Sequence, residues 1–296
     1  MPAILQTQTG WSHPLDQTSD SPSLPSDFRI CKLCCQPSGV PTFTLGANHL
    51  YRCHDCDFHY LDRLDPPPDD ITVTLTELQQ RYIDKRLNDN ARILTSRLNL
   101  VREFSDLTGQ HCLDIGAGVG QFLLMLADGG AVCQGIEPSS LRREFARQRF
   151  GLKLSWQLAE EPFWFEQHDS FDLITLWDVL EHVNAPVATL QAAFALLKPG
   201  GLLFVETDNR DTISYRLSTW VYRLTRGGSA LLLPNFYRQV PYGHKQIFRP
   251  AQLYTLAVRC GFELVAATPP STEITQIKTP GYRPAGQTVM IARKPV

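Results

Sequence analysis

Four cysteines near the start of the chain are arranged as two CxxC pairs. Cys31 and Cys34 form the first pair, and Cys53 and Cys56 form the second, eighteen residues further on. Two such pairs at this spacing are typical of a tetrahedral zinc site. A segment of about 35 residues has too small a core to fold unaided, so a bound metal would supply much of its stability. The pattern predicts a structural zinc site, with four free thiols as the alternative.

Other side chains that bind zinc lie in the same segment. Cys35 follows directly on the first pair, and we interpret it as a non-ligand. His54 and His59 are alternative ligands that the spacing favours less. A disulfide framework would spread its cysteines evenly over a small secreted chain. The clustered cysteines therefore indicate a reducing compartment, and we expect a cytoplasmic protein.

A glycine-rich loop follows a short apolar segment in the middle of the chain. Its glycines are Gly116, Gly118 and Gly120. Residues 112–115 predict a buried strand and residues 121–127 predict a helix. Glycine at such a turn lets a ligand approach bare backbone beside a helix N-terminus. A dinucleotide pattern would place the third glycine one residue later, so the spacing argues against an NAD site.

Two acidic residues accompany the glycine loop. Asp114 directly precedes it, and Glu137 lies where the next predicted strand ends. A carboxylate at the end of that strand can accept the hydroxyl protons of a ribose. The alternative for Glu137 is an exposed loop acid. Together with the glycines, these positions predict a nucleoside-containing ligand.

A cluster of polar residues follows a later predicted strand. Asp178, Glu181 and His182 have the spacing i, i+3 and i+4, which on a helix places them on one face. His244 lies shortly before the predicted helix over 250–260. In one interpretation these side chains bond nearby backbone and shape a pocket floor. In others they bind a divalent cation, or His182 or His244 acts as a metal-free general base.

Predicted strands and helices alternate from residue 111 onward. Strands are predicted over 112–115, 131–136, 171–177, 202–206, 262–267 and 288–292, and helices over 121–127, 140–150, 185–197 and 250–260. This alternation predicts an α/β, doubly wound fold with a mostly parallel sheet. A further helical pattern covers residues 76–106.

Composition excludes some classes of function. The 296 residues carry a net charge of −2. Because the electrostatic field of such a chain is weak, the composition gives no support for binding to nucleic acid or to a membrane surface. No apolar run is long enough to cross a bilayer. The first residues lack the basic and apolar segments of a signal peptide.

Four stretches of the chain resemble the class I S-adenosylmethionine-dependent methyltransferases. They are LDIGAGVGQF (113–122), GIEPS (135–139), FDLITLWDVLEHV (171–183) and LLKPGGLLFVET (196–207), in the order of that family. The resemblance covers about residues 76–296. It implies a sheet of seven strands with the last one antiparallel. It also implies that the glycine loop lines the methionine half of the cofactor and that Glu137 holds the ribose.

The resemblance implies a set of cofactor contacts. They are Asp114, Gly116, Ala117, Gly118, Gly120, Glu137, Pro138, Ala159 and Trp177. The family usually has an aspartate near the adenine, where this chain has Leu158. We therefore expect the backbone at Ala159 and apolar packing to hold the adenine.

The polar cluster is similar to the acid-x-x-Glu-His clusters of small-RNA 2′-O-methyltransferases and ubiquinone-pathway O-methyltransferases. This similarity implies catalytic roles for Glu181, His182 and His244. It also implies a magnesium or manganese site on those residues and Asp178 as one interpretation. The other interpretation keeps a histidine as a bare base.

The predicted organisation has four parts. They are a disordered tail (1–27), a zinc-ribbon module (28–62), a linker with a helical cap (63–108) and a methyltransferase domain (109–296) that contains a substrate lid (209–243). The lid is rich in aromatic residues, which favours an apolar or ring-bearing acceptor.

The predicted function is methyl transfer to an oxygen, with nitrogen or carbon less favoured. The acceptor would be a small metabolite, a glycan or a lipid-linked intermediate. One alternative is an RNA methyltransferase that uses the zinc ribbon as its nucleic-acid handle, and another is a non-catalytic protein that binds S-adenosylmethionine. The sequence predicts neither the acceptor nor the oligomeric state.

Overall fold

The computed structural model describes residues 27–230, 232–237, 240, 242–269, 275–277, 279, 282 and 286–296. The tail predicted over 1–27 lies outside the described residues except for Asp27. No helix in the described part of the chain is long and apolar enough to cross a membrane.

The strands and helices of the described residues follow in chain order. The strands are β1 (Gly39–Leu45), β2 (Asn48–Cys53), β3 (His59–Leu61), β4 (His111–Ile115), β5 (Val132–Ile136), β6 (Phe171–Trp177), β7 (Leu197–Asp208), β8 (Gln246–Ile247), β9 (Glu263–Thr268), β10 (Thr275–Gln276) and β11 (Gln287–Arg293). The helices are α1 (Glu77–Phe104), α2 (Gln121–Asp128), α3 (Ser140–Phe150), α4 (Pro186–Leu196), α5 (Ile213–Leu224), α6 (Leu233–Phe236) and α7 (Pro250–Arg259).

The larger sheet has the order β5-β4-β6-β7-β11-β9-β10. Strands β5, β4, β6 and β7 are parallel, whereas β11 is antiparallel to both of its neighbours, β7 and β9. Six of these strands have five residues or more, and β10 adds a two-residue edge parallel to β9. The α/β fold with a mostly parallel sheet is therefore confirmed.

The segment after α3 adds a single bridge beyond β5. Ser155 pairs there with Ile136. Two backbone hydrogen bonds hold this point, from Ser155 N–H to Gly135 and from Glu137 N–H to Ser155. The sheet thus contains six strands of five residues or more, the two-residue strand β10 and this single bridge, so the count of seven implied by the resemblance stays a prediction.

Helix α1 begins at a capping box. The Thr76 side chain accepts from the backbone of Gln79, and the Gln79 side chain accepts from the backbone of Thr76. This reciprocal pair satisfies donors that a helix N-terminus leaves without partners. The helix runs through the pattern predicted over 76–106 and lies along the cavity described below.

A second, four-stranded antiparallel sheet has the order β1-β2-β3-β8. Its first three strands come from the cysteine segment, whereas β8 comes from the region after the predicted lid. The module is therefore completed by a strand from the other end of the chain. Phe58 of the module packs against Phe248 beside β8, with ring centroids 4.9 Å apart and ring planes tilted by 51°. Both rings are fully buried, so the module and the α/β body share one core.

Candidate functional site

A cavity of about 1200 Å³ opens at the carboxyl ends of β4, β5, β6 and β7. Open α/β sheets bind their ligands at this edge. The glycine loop forms one wall, and α1 and the predicted lid form others. Most of the predicted cofactor contacts line it, namely Asp114, Gly116, Ala117, Gly118, Glu137, Pro138, Ala159 and Trp177.

The glycine loop presents bare backbone to this cavity. Gly116 and Gly118 have φ angles of 78° and 60°, a region that side chains other than glycine rarely adopt. A Cβ on Gly116 would lie 2.4 Å from Cγ2 of Val179, whereas a Cβ on Gly118 would meet nothing within 4 Å. Position 116 therefore requires glycine both because of its φ angle and because a side chain would clash with Val179. The space beside Gly118 is open to a ligand.

Gly120 has a different position from the one predicted. It does not line the cavity in the described residues, and it caps the N-terminus of α2 with a φ of 80°. A Cβ there would lie 2.3 Å from Cδ1 of Leu152. The left-handed φ and the close approach of Leu152 account for a glycine here, and its contact with the cofactor stays a prediction.

Glu137 lies at the end of β5 and is 1% exposed. Its two oxygens accept the N–H of Gly118 at 2.8 Å and the N–H of Ser139 at 2.9 Å. Burial raises the pKa of the carboxyl, which the Arg142 guanidinium 3.6 Å away and the two backbone donors oppose. The carboxylate is thus held rigidly, and each oxygen keeps a lone pair for a hydroxyl donor.

Asp114 lies beneath the same loop. Burial raises the pKa of its carboxyl to about 7, although the Thr175 hydroxyl donates to it at 2.6 Å. A carboxyl with that pKa exchanges its proton near neutral pH.

Trp177 ends β6 and lines the cavity. The Arg97 guanidinium lies 5.1 Å from the centre of its ring. The buried indole N–H has no hydrogen-bond partner among the described residues.

Leu158 and Ala159 line the part of the cavity where we expected the adenine. The neighbouring Glu160 also lines it. Burial raises the pKa of Glu160 to about 7, and the Thr189 hydroxyl bonds it at 3.4 Å. The sequence analysis did not identify Glu160 as a site residue. The only feature that could have indicated it is its position directly after Leu158 and Ala159.

Two histidines from distant parts of the chain meet at the cavity. The rings of His182 and His244 are 4.5 Å apart and nearly perpendicular. Ligand-type atoms of these histidines and of Glu181 all lie within 4.8 Å of one another. Glu181 is 1% exposed, and it accepts the Thr207 hydroxyl at 2.7 Å. Burial, followed by the charges of Asp178 and Asp208, raises its pKa well above the usual range.

The tautomer of His244 follows from its neighbours. Its Nδ1 lies 3.1 Å from the backbone oxygen of Phe236 and 3.1 Å from Oδ2 of Asp208. Because a carbonyl oxygen only accepts, Nδ1 carries a proton, and in the neutral ring the lone pair is then on Nε2. The sequence analysis did not identify Asp208 as a site residue. Its position at the carboxyl end of β7, at the edge of the sheet where the cavity lies, could have indicated it.

His182 has a different environment. Burial, with the charges of His244 and Lys245, lowers its pKa to about 3. Its Nδ1 is buried without a hydrogen-bond partner among the described residues. The imidazole is therefore neutral at physiological pH.

Asp178 does not join the histidine cluster as the sequence interpretation grouped it. Its carboxylate is bound by Arg97 at 2.5 Å and by the Gln287 amide at 2.8 Å. Asp178 also has a φ of 56°, so the chain leaves β6 in a turn and the helical spacing argument does not apply.

The segment predicted as a lid lines part of the cavity. Asn235, Phe236, Val240, Tyr242 and Gly243 line the cavity. They face Tyr82, Ile83 and Leu87 of α1, which also line it. This part of the cavity therefore contains apolar and aromatic side chains from both segments.

The four module cysteines converge. Sγ of Cys31 is 3.6 Å from that of Cys56, and Sγ of Cys34 is 3.5 Å from that of Cys53. All four sulfurs lie within 4.8 Å of one another. These distances match the edges of a tetrahedron around one ion with metal–sulfur bonds of about 2.3 Å.

Neighbouring residues support the same set of four. Cys35 and Asp57 have φ angles of 61° and 56°, and each closes the tight turn that follows a CxxC pair. The Nδ1 of His59 lies 2.8 Å from the Tyr215 hydroxyl, so this histidine has another partner. His54 is not in the convergent group of the described residues.

Known proteins are similar to this chain over the region that contains the α/β sheet and the cavity. A family model described as a methyltransferase domain matches residues 80–267. The ubiquinone biosynthesis O-methyltransferase of Nitrosococcus oceani is 32% identical over 213 residues, which cover 68% of this chain and 84% of that protein. The protein of that name from Coxiella burnetii is 29% identical over 175 residues, or 58% of this chain and 71% of that one.

A solved structure shares the fold at low identity. It is the 1,6-didemethyltoxoflavin-N1-methyltransferase of Burkholderia thailandensis with bound 1,6-didemethyltoxoflavin and S-adenosylhomocysteine. The TM-score is 0.50 at 17% identity, over 86% of this chain and 99% of that one. The family match, the relatives and the glycine-loop cavity together lead to one conclusion: the chain belongs to the methyltransferase-domain family and is an S-adenosylmethionine-dependent methyltransferase.

Proposed function

We propose that this methyltransferase transfers the methyl group to a hydroxyl oxygen of a small-molecule acceptor, with His244 as the general base. The single observation that carries the proposal is the contact of His244 Nδ1 with the Phe236 carbonyl oxygen and with Asp208, from which we infer that Nε2 of the neutral ring accepts the proton. A hydroxyl is a poor nucleophile until its proton is removed. The names of the two curated relatives, both O-methyltransferases, support the choice of oxygen.

The chain's residues would hold S-adenosylmethionine across the carboxyl edge of the sheet. The backbone at Gly116 and Gly118 would contact the methionine half, and Glu137 would accept the ribose hydroxyls. Leu158 and Ala159 would cover the adenine. The bound cofactor supplies an electrophilic methyl on sulfur, and the enzyme's contribution is alignment of the acceptor and removal of its proton.

The proton has a defined path. As the acceptor oxygen attacks, its proton passes to Nε2 of His244, which becomes an imidazolium. The Asp208 carboxylate, 3.1 Å from Nδ1, stabilises that charge and fixes the ring. His182 packs edge-on against His244 and limits its rotation.

The acceptor is expected to have an apolar or aromatic part. Tyr82 and Val240 line the cavity and are 60% and 52% exposed, so they offer apolar surface at its rim. Phe236 and Tyr242 line the same cavity. Such a wall fits a ring-bearing metabolite or a lipid-linked intermediate better than a small, highly charged acceptor.

A divalent cation site is a second candidate role for the histidine cluster. The proximity of Glu181, His182 and His244 favours it, since imidazole and carboxylate ligands suit such ions. Asp178 is not part of this candidate site, because Arg97 and Gln287 occupy its carboxylate. Treatment with a chelator distinguishes the two roles. If activity is lost on chelation and restored by magnesium or manganese, the histidine cluster binds a metal ion and His244 does not act as a metal-free base.

The proposed reaction is tested by labelled-methyl transfer into a metabolite extract. Products of the wild type and of His244→Ala are compared by mass spectrometry, with His168→Ala, an exposed histidine, as the control. We expect new methyl ethers with the wild type and the control, and about a hundredfold less with His244→Ala. Products methylated only on nitrogen or carbon would contradict the proposal.

We also propose one structural zinc ion on Cys31, Cys34, Cys53 and Cys56. The convergence of the four sulfurs supports it. Elemental analysis of protein purified without added metal should give about one zinc per chain. Near-zero zinc with a protease-resistant module would contradict the proposal.

A further inference from the structure

Lys245 lies between the cysteine module and the histidine pair. Its side chain is 1% exposed. The ammonium forms an ion pair with Asp65 at 2.5 Å and also donates to the backbone oxygen of His182. A buried ammonium is costly unless it is paired, so these partners fix its position. One side chain thus joins the segment that follows the module to the loop that carries His182.

The backbone of Lys245 makes the same connection. Its N–H donates to the oxygen of Glu181 at 2.7 Å, and its oxygen accepts from the N–H of Leu61 at 2.7 Å. Leu61 ends β3, a strand of the module. Lys245, the residue directly after His244, is therefore hydrogen-bonded both to the module and to the loop that carries Glu181 and His182.

Gln246 extends this connection by one residue. It pairs with Tyr60 in the β3–β8 ladder. Its side-chain amide donates to the oxygens of Leu180 and Val183 at 2.6 and 2.8 Å. The loop of residues 180–183 is thus held at both ends by β8.

Asp65 is itself fixed to this loop. Its N–H donates to the side chain of Asn184 at 2.9 Å, and its oxygen accepts from the Asn184 amide at 2.8 Å. These hydrogen bonds and the ion pair connect the module, and Asp65 after it, with residues 180–184 and 245–246. None of them involves the glycine loop at 116–118.

We propose that the β3–β8 ladder and the buried Asp65–Lys245 pair are a positioning device through which the folded cysteine module holds His182 and His244 in contact. The inference rests on the proposed role of His244 and extends it to residues that do not touch the reactants. Lys245 and Asp65 are positioning residues. The device should therefore govern turnover and leave cofactor affinity almost unchanged.

The test begins with Lys245→Met in the full-length protein with its bound metal. We expect turnover to fall by about tenfold or more, since small misplacement of reacting groups has large kinetic costs. The dissociation constant of S-adenosylhomocysteine should change less than about threefold. Lys245→Arg keeps the charge and donors, and it should recover part of the turnover.

Hydrogen exchange provides a readout that does not need activity. The amides of Leu61 and Lys245 should exchange at least about tenfold faster in Lys245→Met, because the ladder that protects them loses its anchor. Asp65→Asn should give the same change in exchange and turnover, and it replaces Lys245→Met if that variant does not fold. Unchanged exchange in a folded variant would overturn the device.

Arg210→Met is the matched control. Arg210 is 2% exposed and pairs with Asp57 of the module at 2.6 Å, so it is also a buried cation that ties the module to the body. It lies outside the histidine connection. We expect turnover within about threefold of wild type and unchanged exchange at Leu61 and Lys245. Equal losses of turnover in Arg210→Met and Lys245→Met would show a general stability effect and overturn the proposal.

The design separates this inference from the proposed function. If His244→Ala keeps full turnover, the base assignment fails. The exchange of Leu61 and Lys245 still decides whether the module holds the 180–184 loop. If His244→Ala is inactive while Lys245→Met retains turnover and protection, the positioning inference alone fails.

Discussion

The two ends of the cavity are built in different ways. The cofactor end consists of backbone and side chains from short, contiguous stretches, such as the loop after β4 and the end of β5. The end proposed to bind the acceptor brings together His182, Asp208 and His244, which span 62 residues of the sequence. The stretches at the cofactor end also run from residue 114 to residue 177, but each lies where a strand of the sheet ends, a position that local sequence indicates. The proposed acceptor end depends instead on the contact of His244 with His182 and Asp208, which no local sequence pattern indicates.

The largest expected effect is at the cofactor end. Glu137→Ala should weaken the binding of S-adenosylhomocysteine by about a hundredfold, because a buried ribose hydroxyl would lose a charged acceptor. Calorimetry gives the constant, and Glu166→Ala, an exposed acid, is the control. Wild-type affinity in Glu137→Ala would remove the ribose assignment.

Asp208→Asn tests the acceptor end. An amide cannot stabilise an imidazolium as a carboxylate does, so turnover should fall by about tenfold or more. Cofactor affinity should stay within about threefold of wild type. A parallel loss of affinity and turnover would mean that the two ends are not separable.

This difference explains what the sequence could predict. Gly116, Gly118 and Glu137 carry their geometry in local sequence, so their place at the cavity followed from type and spacing. Asp208 acquires its role only through its contact with His244, a pairing that no local pattern contains.

Two other departures have similar causes. The grouping of Asp178 with His182 assumed a helix after β6, and the chain instead turns there with a φ of 56°. The addition of β8 to the module's sheet joins segments nearly 200 residues apart in sequence, which spacing arguments do not reach.

Two glycine variants should separate packing from binding. Gly116→Ala should lower the free energy of unfolding by about 2 kcal/mol or more, from the left-handed φ and the contact with Val179. Gly118→Ala should cost about 1 kcal/mol, because only the φ is unfavourable. It should nevertheless weaken cofactor binding by about tenfold, since its Cβ enters the cavity. Denaturant titrations and calorimetry would measure both, and the reverse order of stabilities would contradict the packing argument.

The smallest effect concerns Asp114. The folded protein keeps this proton up to a pKa of about 7, whereas the unfolded chain loses it near 3.8. The folded state therefore binds more protons between these values, and its stability falls as pH rises through that range. Asp114→Asn should reduce the fall in Tm between pH 5 and pH 8 by a few degrees, roughly. Calorimetry at several pH values checks this, with exposed Asp128→Asn keeping the wild-type slope. An unchanged slope in Asp114→Asn would contradict the burial of an ionisable carboxyl.

We propose that different parts of the cavity bind the cofactor and activate the acceptor. The most direct test measures the single-turnover rate of methyl transfer and the S-adenosylhomocysteine dissociation constant on the same preparation of His244→Ala. We predict a rate about a hundredfold below wild type with an unchanged dissociation constant. A wild-type rate, or a loss confined to cofactor affinity, would contradict the account.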